Sequence, residues 1–203
     1  MPLHGEGSRG SERGVSGVSA GGESAPVGRG RATLLCGDAM DAGVSDACTG
    51  ALEGGDSVLW VSYTRSPDDC FDQLPGLAAD RKAAVDVGGG TRSAAATGGG
   101  GGGAGGDVSV ADPNDLTGIG IAVTDQLSEG AHVCFDSVTT MLQYVETKRA
   151  YTFLNSLLGH LWNANATAHF HFNPEAHDPQ TVAAVTSLFD ARIDVDGEGR
   201  TRR

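Results

Sequence analysis

Lysine is nearly absent from this 203-residue chain, which contains only Lys82 and Lys148. Acidic residues outnumber basic ones by 26 to 14, and the formal net charge is −12. Because binding to a phosphate backbone needs clustered cations, this composition argues against nucleic acid as a partner. An acidic, lysine-poor surface is typical of proteins that stay soluble in very salty cytoplasm through self-repulsion, so we expect a halophilic source.

Long apolar runs and paired cysteines are missing as well. No stretch approaches the roughly 18 apolar residues of a membrane span, and the N-terminus lacks the apolar core of a signal peptide. We therefore expect a cytoplasmic protein that does not bind membranes. None of the four cysteines forms a CxxC pair, and Cys36 and Cys134 lie in apolar, strand-like runs. This sequence context favours a role as small, buried hydrophobic residues over redox or metal chemistry.

The chain is long enough for one domain with a substantial core, which we place at residues 31–197. Residues 1–30 are rich in Gly, Ser and Glu, and they carry too few large apolar side chains to fold. We expect this segment to be disordered, together with the tail at 198–203. Residues 88–106 include an unbroken glycine run from Gly98 to Gly103 and are predicted to be a flexible loop inside the domain.

Strand and helix patterns alternate through the rest of the chain. The predicted strands cover residues 31–36, 57–63, 82–87, 107–110, 132–135, 168–172 and 192–195. Helices are predicted at 45–52, from Pro67, at 116–127 after a cap at Asn114 or Asp115, at 148–163, and from Pro179 after a cap at Asp178. Such alternation predicts a three-layer α/β domain with a mostly parallel sheet that helices cover on both faces.

The first predicted strand leads into a loop bounded by glycines, from Gly37 to Gly43. A phosphate-binding P-loop ends in Gly-Lys-Ser/Thr, whereas here the corresponding residues are Gly43-Val44-Ser45. Val44 cannot do what the lysine does at the β- and γ-phosphates. Three carboxylates also fall where a triphosphate would lie and would repel it: Asp38, Asp41 and Asp46.

A second apolar strand, His132-Val133-Cys134-Phe135, ends in Asp136-Ser137. Together with the glycine loop and the strand Val58 to Tyr63, it resembles the RecA-like P-loop ATPase superfamily. The resemblance is strongest to the KaiC-type branch, including the haloarchaeal proteins known as HTR-like. It covers residues 31–197 and implies a RecA-like P-loop NTPase architecture. In active relatives, an aspartate at the position of Asp136 helps to hold Mg²⁺.

The chain departs from active relatives after its second strand as well. There the family places a glutamate that orients the attacking water, but this chain has Tyr63-Thr64-Arg65-Ser66. Catalysis of phosphoryl transfer depends on positioning and charge stabilisation. Because the chain lacks both the lysine and the glutamate, we expect most of this catalysis to be lost. Our leading hypothesis is a degenerate ATPase without catalytic residues or cofactor. It would act as a regulatory or signalling module that binds an unidentified protein partner, and it could form a homo-oligomer.

The alternative is a nucleotide-binding protein or slow ATPase with Mg-ATP as its cofactor. Its binding residues would be Gly37, Gly43, Ser45 and Asp136, with Arg65 or an arginine of a neighbouring subunit replacing the lysine. In the absence of the lysine, we interpret Asp136 as a structural carboxylate that hydrogen-bonds the remnant loop, for example at Ser45.

Two histidines, His169 and His171, alternate along a strand and therefore face the same side of the sheet. With His177 and Asp178 close in sequence they could form a metal site, but the sequence fixes no third ligand. We favour histidines that bridge strand and helix without a metal. Three large aromatic residues lie in apolar patterns and are predicted to be core residues: Trp60, Tyr151 and Trp162.

Overall fold

The structure is a computed structural model that describes residues 32–38, 42–72, 74, 77–89 and 106–195, and the backbone of 201–202. The predicted disordered segment 1–30 lies outside the described residues. So do most of the predicted glycine-rich loop 88–106 and of the predicted tail 198–203. In that tail, the backbone of Thr201–Arg202 pairs with the preceding strand.

The centre of the domain is one sheet in which strands β1 to β7 are parallel. The strand order is β4-β3-β2-β5-β6-β1-β7-β8, and among these described strands only β8 runs antiparallel. The strands are β1 Ala32–Cys36, β2 Ser57–Ser62, β3 Arg81–Val87, β4 Val108–Val110, β5 His132–Asp136, β6 Thr167–Phe172, β7 Ala191–Val195 and β8 Thr201–Arg202. The predicted α/β class with a mostly parallel sheet is confirmed.

Helices cover both faces of the sheet and form two separate cores. The described helices are α1 Ala42–Leu52, α2 Pro67–Asp72, α3 Leu116–Gln126, α4 Val138–Met141, α5 Thr147–Asn163 and α6 Pro179–Thr186, with a 3₁₀ turn at Pro174–Ala176. Helices α1 and α2 contribute to the smaller core, whereas α3 to α6 contribute to the larger one. None of these described helices combines the length and hydrophobicity needed to cross a membrane.

The two-residue period of the strands decides which side chain enters which core. In β6, Phe170 and Phe172 enter the larger core, so the intervening His169 and His171 face the side of α1. In β2, Trp60 enters the smaller core and is 1% exposed, as predicted. The histidine pair thus lies under α1, in a layer that is otherwise largely apolar.

Side-chain caps fix the starts of two helices where the sequence predicted them. Asp115 accepts a hydrogen bond from the Gly118 amide at the start of α3. Asp178 accepts hydrogen bonds from the first amides of α6, with Pro179 at the first helical position. Helix α1, in contrast, begins at Ala42 rather than at the predicted Ser45, so the Gly43-Val44-Ser45 segment belongs to its first turn.

Two predicted core aromatics, both in α5, lie on the surface instead. Tyr151 is 39% exposed and Trp162 is 53% exposed. Each is next in sequence to a buried residue of the helix, Ala150 or Leu161. Because one residue turns a helix by about 100°, a neighbour of the apolar stripe points away from the core.

Candidate functional site

The loop after β1 and the ends of β2, β5 and β6 meet at the carboxyl edge of the sheet. The Gly37 amide donates to the Phe172 carbonyl over 3.1 Å, and the Tyr63 amide donates to the Asp136 carbonyl over 2.7 Å. In open parallel sheets, ligands bind in crevices at this edge. The edge therefore brings Gly37, Asp136 and the turn after β2 together, as the resemblance implied.

The described residues on either side of the glycine loop pack closely against each other. Val44 is 2% exposed and contributes to the smaller core with α1. A Cβ atom added at Gly37 would lie 2.6 Å from Cγ2 of Val44 and 3.2 Å from the Val195 carbonyl oxygen. Val44 therefore fills space behind the loop, and Gly37 is required by that close approach. Ser45 lies in the first turn of α1, where its backbone carbonyl accepts a hydrogen bond from the Thr49 hydroxyl over 3.0 Å.

The loop aspartates carry their charge at the surface. Asp38 and Asp46 are both exposed, while Asp41 lies outside the described residues. Two negative charges at the rim of the corner disfavour an anionic ligand there, since opposing cations are needed to hold a triphosphate.

Asp136 is 2% exposed and binds to its own chain through both carboxylate oxygens. Oδ2 accepts the Thr64 hydroxyl over 2.8 Å and lies 3.9 Å from Nη1 of Arg65. Oδ1 lies 3.3 Å from Nδ1 of His171. Among the described residues these three are its side-chain partners, so the predicted hydrogen bond to Ser45 is wrong. The loop at Ser45 belongs to α1, whereas Asp136 turns towards β6 and the turn after β2.

Electrostatics agree with a charged Asp136. Burial by itself raises the pKa of this carboxyl, but the hydrogen bond and positive charge of His171 outweigh it, so the pKa lies below its ordinary value. Thr64 and Arg65 are held beside it, because both amides donate to the Ser62 hydroxyl. Residues 63–66 contain no carboxylate that could orient a water, as the sequence indicated.

Beneath this edge lies a group of four buried side chains, which we name the Cys₂His₂ cluster: Cys48, Cys134, His169 and His171. Helix α1 supplies Cys48, β5 supplies Cys134, and β6 supplies both histidines. One ligand atom from each residue lies within 4.8 Å of all the others. The cluster therefore has the donor types and the compactness of a metal site.

Two nitrogen–sulfur contacts and one sulfur–sulfur contact hold the cluster together. Nε2 of His169 lies 3.1 Å from Sγ of Cys48, and Nε2 of His171 lies 3.7 Å from Sγ of Cys134. The two sulfur atoms are 3.6 Å apart, and neither cysteine is part of a disulfide. Cys134 is buried as predicted, but its sulfur belongs to a polar cluster and does not only fill the apolar core.

The pKa values of the cluster residues shift in opposite directions. The hydrogen bond with the Cys134 thiol lowers the pKa of Cys48 well below its ordinary value, against the effect of burial. Burial raises the pKa of Cys134 well above its ordinary value. Burial by itself lowers the pKa of His171, but the Cys48 thiolate and Asp136 raise it to about 10. A thiolate is the form of cysteine that binds metals.

One family model covers nearly all of the described domain. The model of a family of unknown function, DUF7504, matches residues 30–195. The chain belongs to the DUF7504 family. No curated protein matches this DUF7504 chain in sequence.

Solved structures similar to the DUF7504 chain show its fold. PH0250 from Pyrococcus horikoshii OT3 superposes with a TM-score of 0.54 at 6% identity, covering 83% of each chain. The flagellar accessory protein FlaH from Methanocaldococcus jannaschii gives 0.50 at 14% identity, covering 82% of this chain and 71% of FlaH. The RecA-like fold is thereby confirmed. The finer kinship with KaiC-type and HTR-like proteins stays a prediction.

The other two residues considered for a metal lie elsewhere in the DUF7504 domain. The His177 ring stacks on Phe172 with centroids 5.0 Å apart, and Asp178 caps α6. The additional ligand candidates are cysteines from distant segments, which sequence spacing did not reveal. Knowledge of the strand pairing would have identified Cys134 as a ligand candidate, because Cys134 and His169 are register partners in β5 and β6.

Proposed function

We propose that this DUF7504 chain is a non-catalytic RecA-like domain that acts as a regulatory or signalling protein-interaction module in a haloarchaeal cytoplasm. The observation that carries this proposal is the set of contacts made by the Asp136 carboxylate. Asp136 is the one acidic residue that matches the nucleotide site of RecA-like ATPases. Both of its oxygens are engaged by residues of its own chain, and the side chain is 2% exposed. To bind Mg²⁺, it would have to give up those contacts.

The corner at Gly37 supports the same conclusion. Val44 is buried where a nucleotide-binding relative has its lysine, and Asp38 and Asp46 place negative charge at the rim. A helix N-terminus supplies only about half a positive charge, which does not compensate for the missing cation. The fold keeps the corner because β1 and α1 have to be joined there.

A groove between α3 and α5 offers a surface for a protein partner. Its volume is about 690 Å³, and its apolar lining includes Ile121, which is 56% exposed, and Phe153. Three exposed basic or titratable residues line the same groove: Lys148, Arg149 and His160. In a chain of net charge −12, the two adjacent cations Lys148 and Arg149 favour one occupant, an amphipathic segment of another protein with acidic residues beside its apolar face.

A nucleotide-binding protein or slow ATPase is the second candidate function. Such a protein would use Gly37, Gly43, Ser45 and Asp136 to bind Mg-ATP. The position of Arg65 favours this function, because its Nη1 atom lies 3.9 Å from Oδ2 of Asp136 and places a cation at the carboxyl edge. Concentrated salt would reduce the repulsion from the surface aspartates, because the Debye length falls to about 3 Å at 1 M.

Thermal unfolding in concentrated KCl, with and without Mg-ATP, separates the two functions. Ligand at about 100 times its dissociation constant stabilises a protein by about 2.7 kcal/mol. We expect no change in Tm at millimolar Mg-ATP. An upward shift in the wild type that disappears in both Asp136→Ala and Arg65→Ala would overturn the proposal and establish the second candidate.

A further inference from the structure

The donor set of the Cys₂His₂ cluster matches one class of metal. Two thiols and two imidazoles in a tetrahedral arrangement are the ligands of structural zinc sites. None of the four side chains is a carboxylate, the protein ligand that Mg²⁺ and Ca²⁺ prefer. The cluster therefore calls for a thiophilic transition metal.

We propose that the Cys₂His₂ cluster binds one Zn²⁺ ion in a closed, tetrahedral, structural site. This inference is independent of whether the carboxyl edge binds a nucleotide. It assigns to the smaller core a metal that ties helix α1 to strands β5 and β6.

The spacing of the ligand atoms fits that geometry. With Zn–S distances of about 2.3 Å and Zn–N distances of about 2.0–2.1 Å, a tetrahedron places two sulfurs about 3.8 Å apart and a sulfur and a nitrogen about 3.6 Å apart. The observed Sγ–Sγ distance is 3.6 Å. The observed sulfur–nitrogen distances are 3.7 Å for Cys134–His171 and 3.1 Å for Cys48–His169. Changes of about 0.5 Å or less in these three distances would bring them to the tetrahedral values.

Asp136 supplies the outer contact that zinc-binding histidines ordinarily have. Nε2 of His171 faces Cys134, while Nδ1 on the other side of the ring lies 3.3 Å from Oδ1 of Asp136. A carboxylate at Nδ1 fixes the tautomer that leaves Nε2 free to bind a metal, and it raises the basicity of the ring. Asp136 is thus a positioning residue for His171.

A metal also accounts for two imidazoles in an otherwise apolar layer. His169 is 3% exposed and His171 is 6% exposed. Burying polar groups costs free energy unless they find strong partners, and thiols are weak hydrogen-bonding groups. Coordination to Zn²⁺ would satisfy both Nε2 atoms and both thiolates at once. Because four protein ligands fill the coordination sphere and solvent is excluded, the site is structural rather than catalytic.

Elemental analysis of the full-length chain is the primary test. The protein is expressed with zinc in the medium and purified in concentrated KCl without chelators. We expect one zinc per chain. The same protein refolded with Co²⁺ should show the intense visible bands of tetrahedral cobalt and the ultraviolet bands of cobalt–thiolate bonds.

Substitutions then assign the ligands. Cys48→Ser and His169→Gln should each lower the zinc content and remove or alter the cobalt bands. Cys70→Ser is the matched control, because Cys70 is a fully buried cysteine of the same core that lies outside the cluster. It should keep one zinc per chain and an unchanged cobalt spectrum.

The wild type alone keeps the proposal falsifiable if the variants fail to fold. Titration of its thiols with an organomercurial reagent, followed by a chromophoric zinc indicator, should release the metal as the cluster thiols react. The proposal is overturned if the wild type, folded with equimolar Zn²⁺, retains less than a stoichiometric amount. Octahedral cobalt bands, a Cys48–Cys134 disulfide, or stoichiometric iron or copper in the purified protein would also overturn it.

Discussion

Nδ1 of His171 lies 3.3 Å from Oδ1 of Asp136, and this contact joins the carboxyl edge of the sheet to the layer beneath α1. The aspartate at the end of β5 therefore faces inwards, towards a histidine of the neighbouring strand. Its remaining oxygen is occupied by Thr64 and Arg65. The residue that most strongly suggests a nucleotide site thus takes part in the internal structure of the protein.

Asp136→Asn should weaken zinc binding. The amide loses the charge that orients and polarises His171, and loss of such an outer partner typically lowers metal affinity about 10–100-fold. Competition with a chromophoric chelator measures the change. Asp46→Asn, an exposed substitution on α1, is the control and should leave the affinity unchanged. Equal affinities for wild type and Asp136→Asn would contradict the positioning role of Asp136.

Gly37→Ala should destabilise the fold, because its Cβ would meet Cγ2 of Val44 at 2.6 Å. Overpacking of this kind costs about 1–3 kcal/mol in the free energy of unfolding. Adding Val44→Ala removes the clashing methyl, so the double variant should be more stable than the sum of the single effects predicts. Urea unfolding in KCl gives the free energy of unfolding of the two single variants and the double variant.

Gly50→Ala is the control for that series. Gly50 lies in α1, and an added Cβ would meet nothing within 4 Å, so the substitution should raise stability by about 0.5–1 kcal/mol. Additive effects of Gly37→Ala and Val44→Ala would show that the side chains at these two positions do not clash.

Asp178→Ala should lower Tm at neutral pH because it removes the cap of α6. Hydrogen bonds from the Thr181 hydroxyl and from the first amides of the helix hold the pKa of Asp178 below its ordinary value. A depressed pKa in the folded state adds stability above the unfolded value of about 3.9, and this stability is lost as pH falls through the folded value. The Tm difference between wild type and variant should therefore shrink below about pH 4.

Asp125→Ala provides the comparison for the cap, since Asp125 is exposed near the end of α3 and has no such role. Its Tm should stay close to that of the wild type at both pH values. A Tm difference for Asp178→Ala that is constant from pH 7 to pH 3 would assign its effect to packing rather than to charge.

Ile121→Glu should abolish binding of an acidic amphipathic peptide to the groove between α3 and α5. Ile121 is 56% exposed, so the change should leave Tm nearly unaltered while placing a repelling charge among apolar contacts. Fluorescence anisotropy with a labelled helical peptide measures the affinity. Tyr144→Glu changes a similarly exposed residue outside the groove and should bind like the wild type. Equal affinities for wild type and Ile121→Glu would exclude the groove as the binding surface.

Local patterns were sufficient to predict the layers of this fold. Asp178 and Pro179 mark a helix start because their preferred hydrogen bonding and backbone angles depend on adjacent residues only. The alternation in β6 likewise showed that His169 and His171 share a face. Such features depend on neighbouring residues, so they can be predicted from the sequence before the strand order is known.

The composition of the Cys₂His₂ cluster depends on information of another kind. Cys48 and His169 are 121 positions apart, and they meet only because β6 lies between β1 and β5. No local pattern encodes that neighbourhood. The exposure of Trp162 was missed for a different reason, since an apolar residue adjacent to a helix stripe has the same composition signal as one within it.

The position of β6 between β1 and β5 has a consequence for how the chain is made. Strand β1 pairs with β6 and β7, and both of these come from the last third of the chain. During synthesis, β2, β3 and β5 can pair first, while the apolar β1 waits with both edges open. Strand β1 therefore gains its first neighbour only after Phe172 has left the ribosome, and until then its unpaired apolar edges favour aggregation.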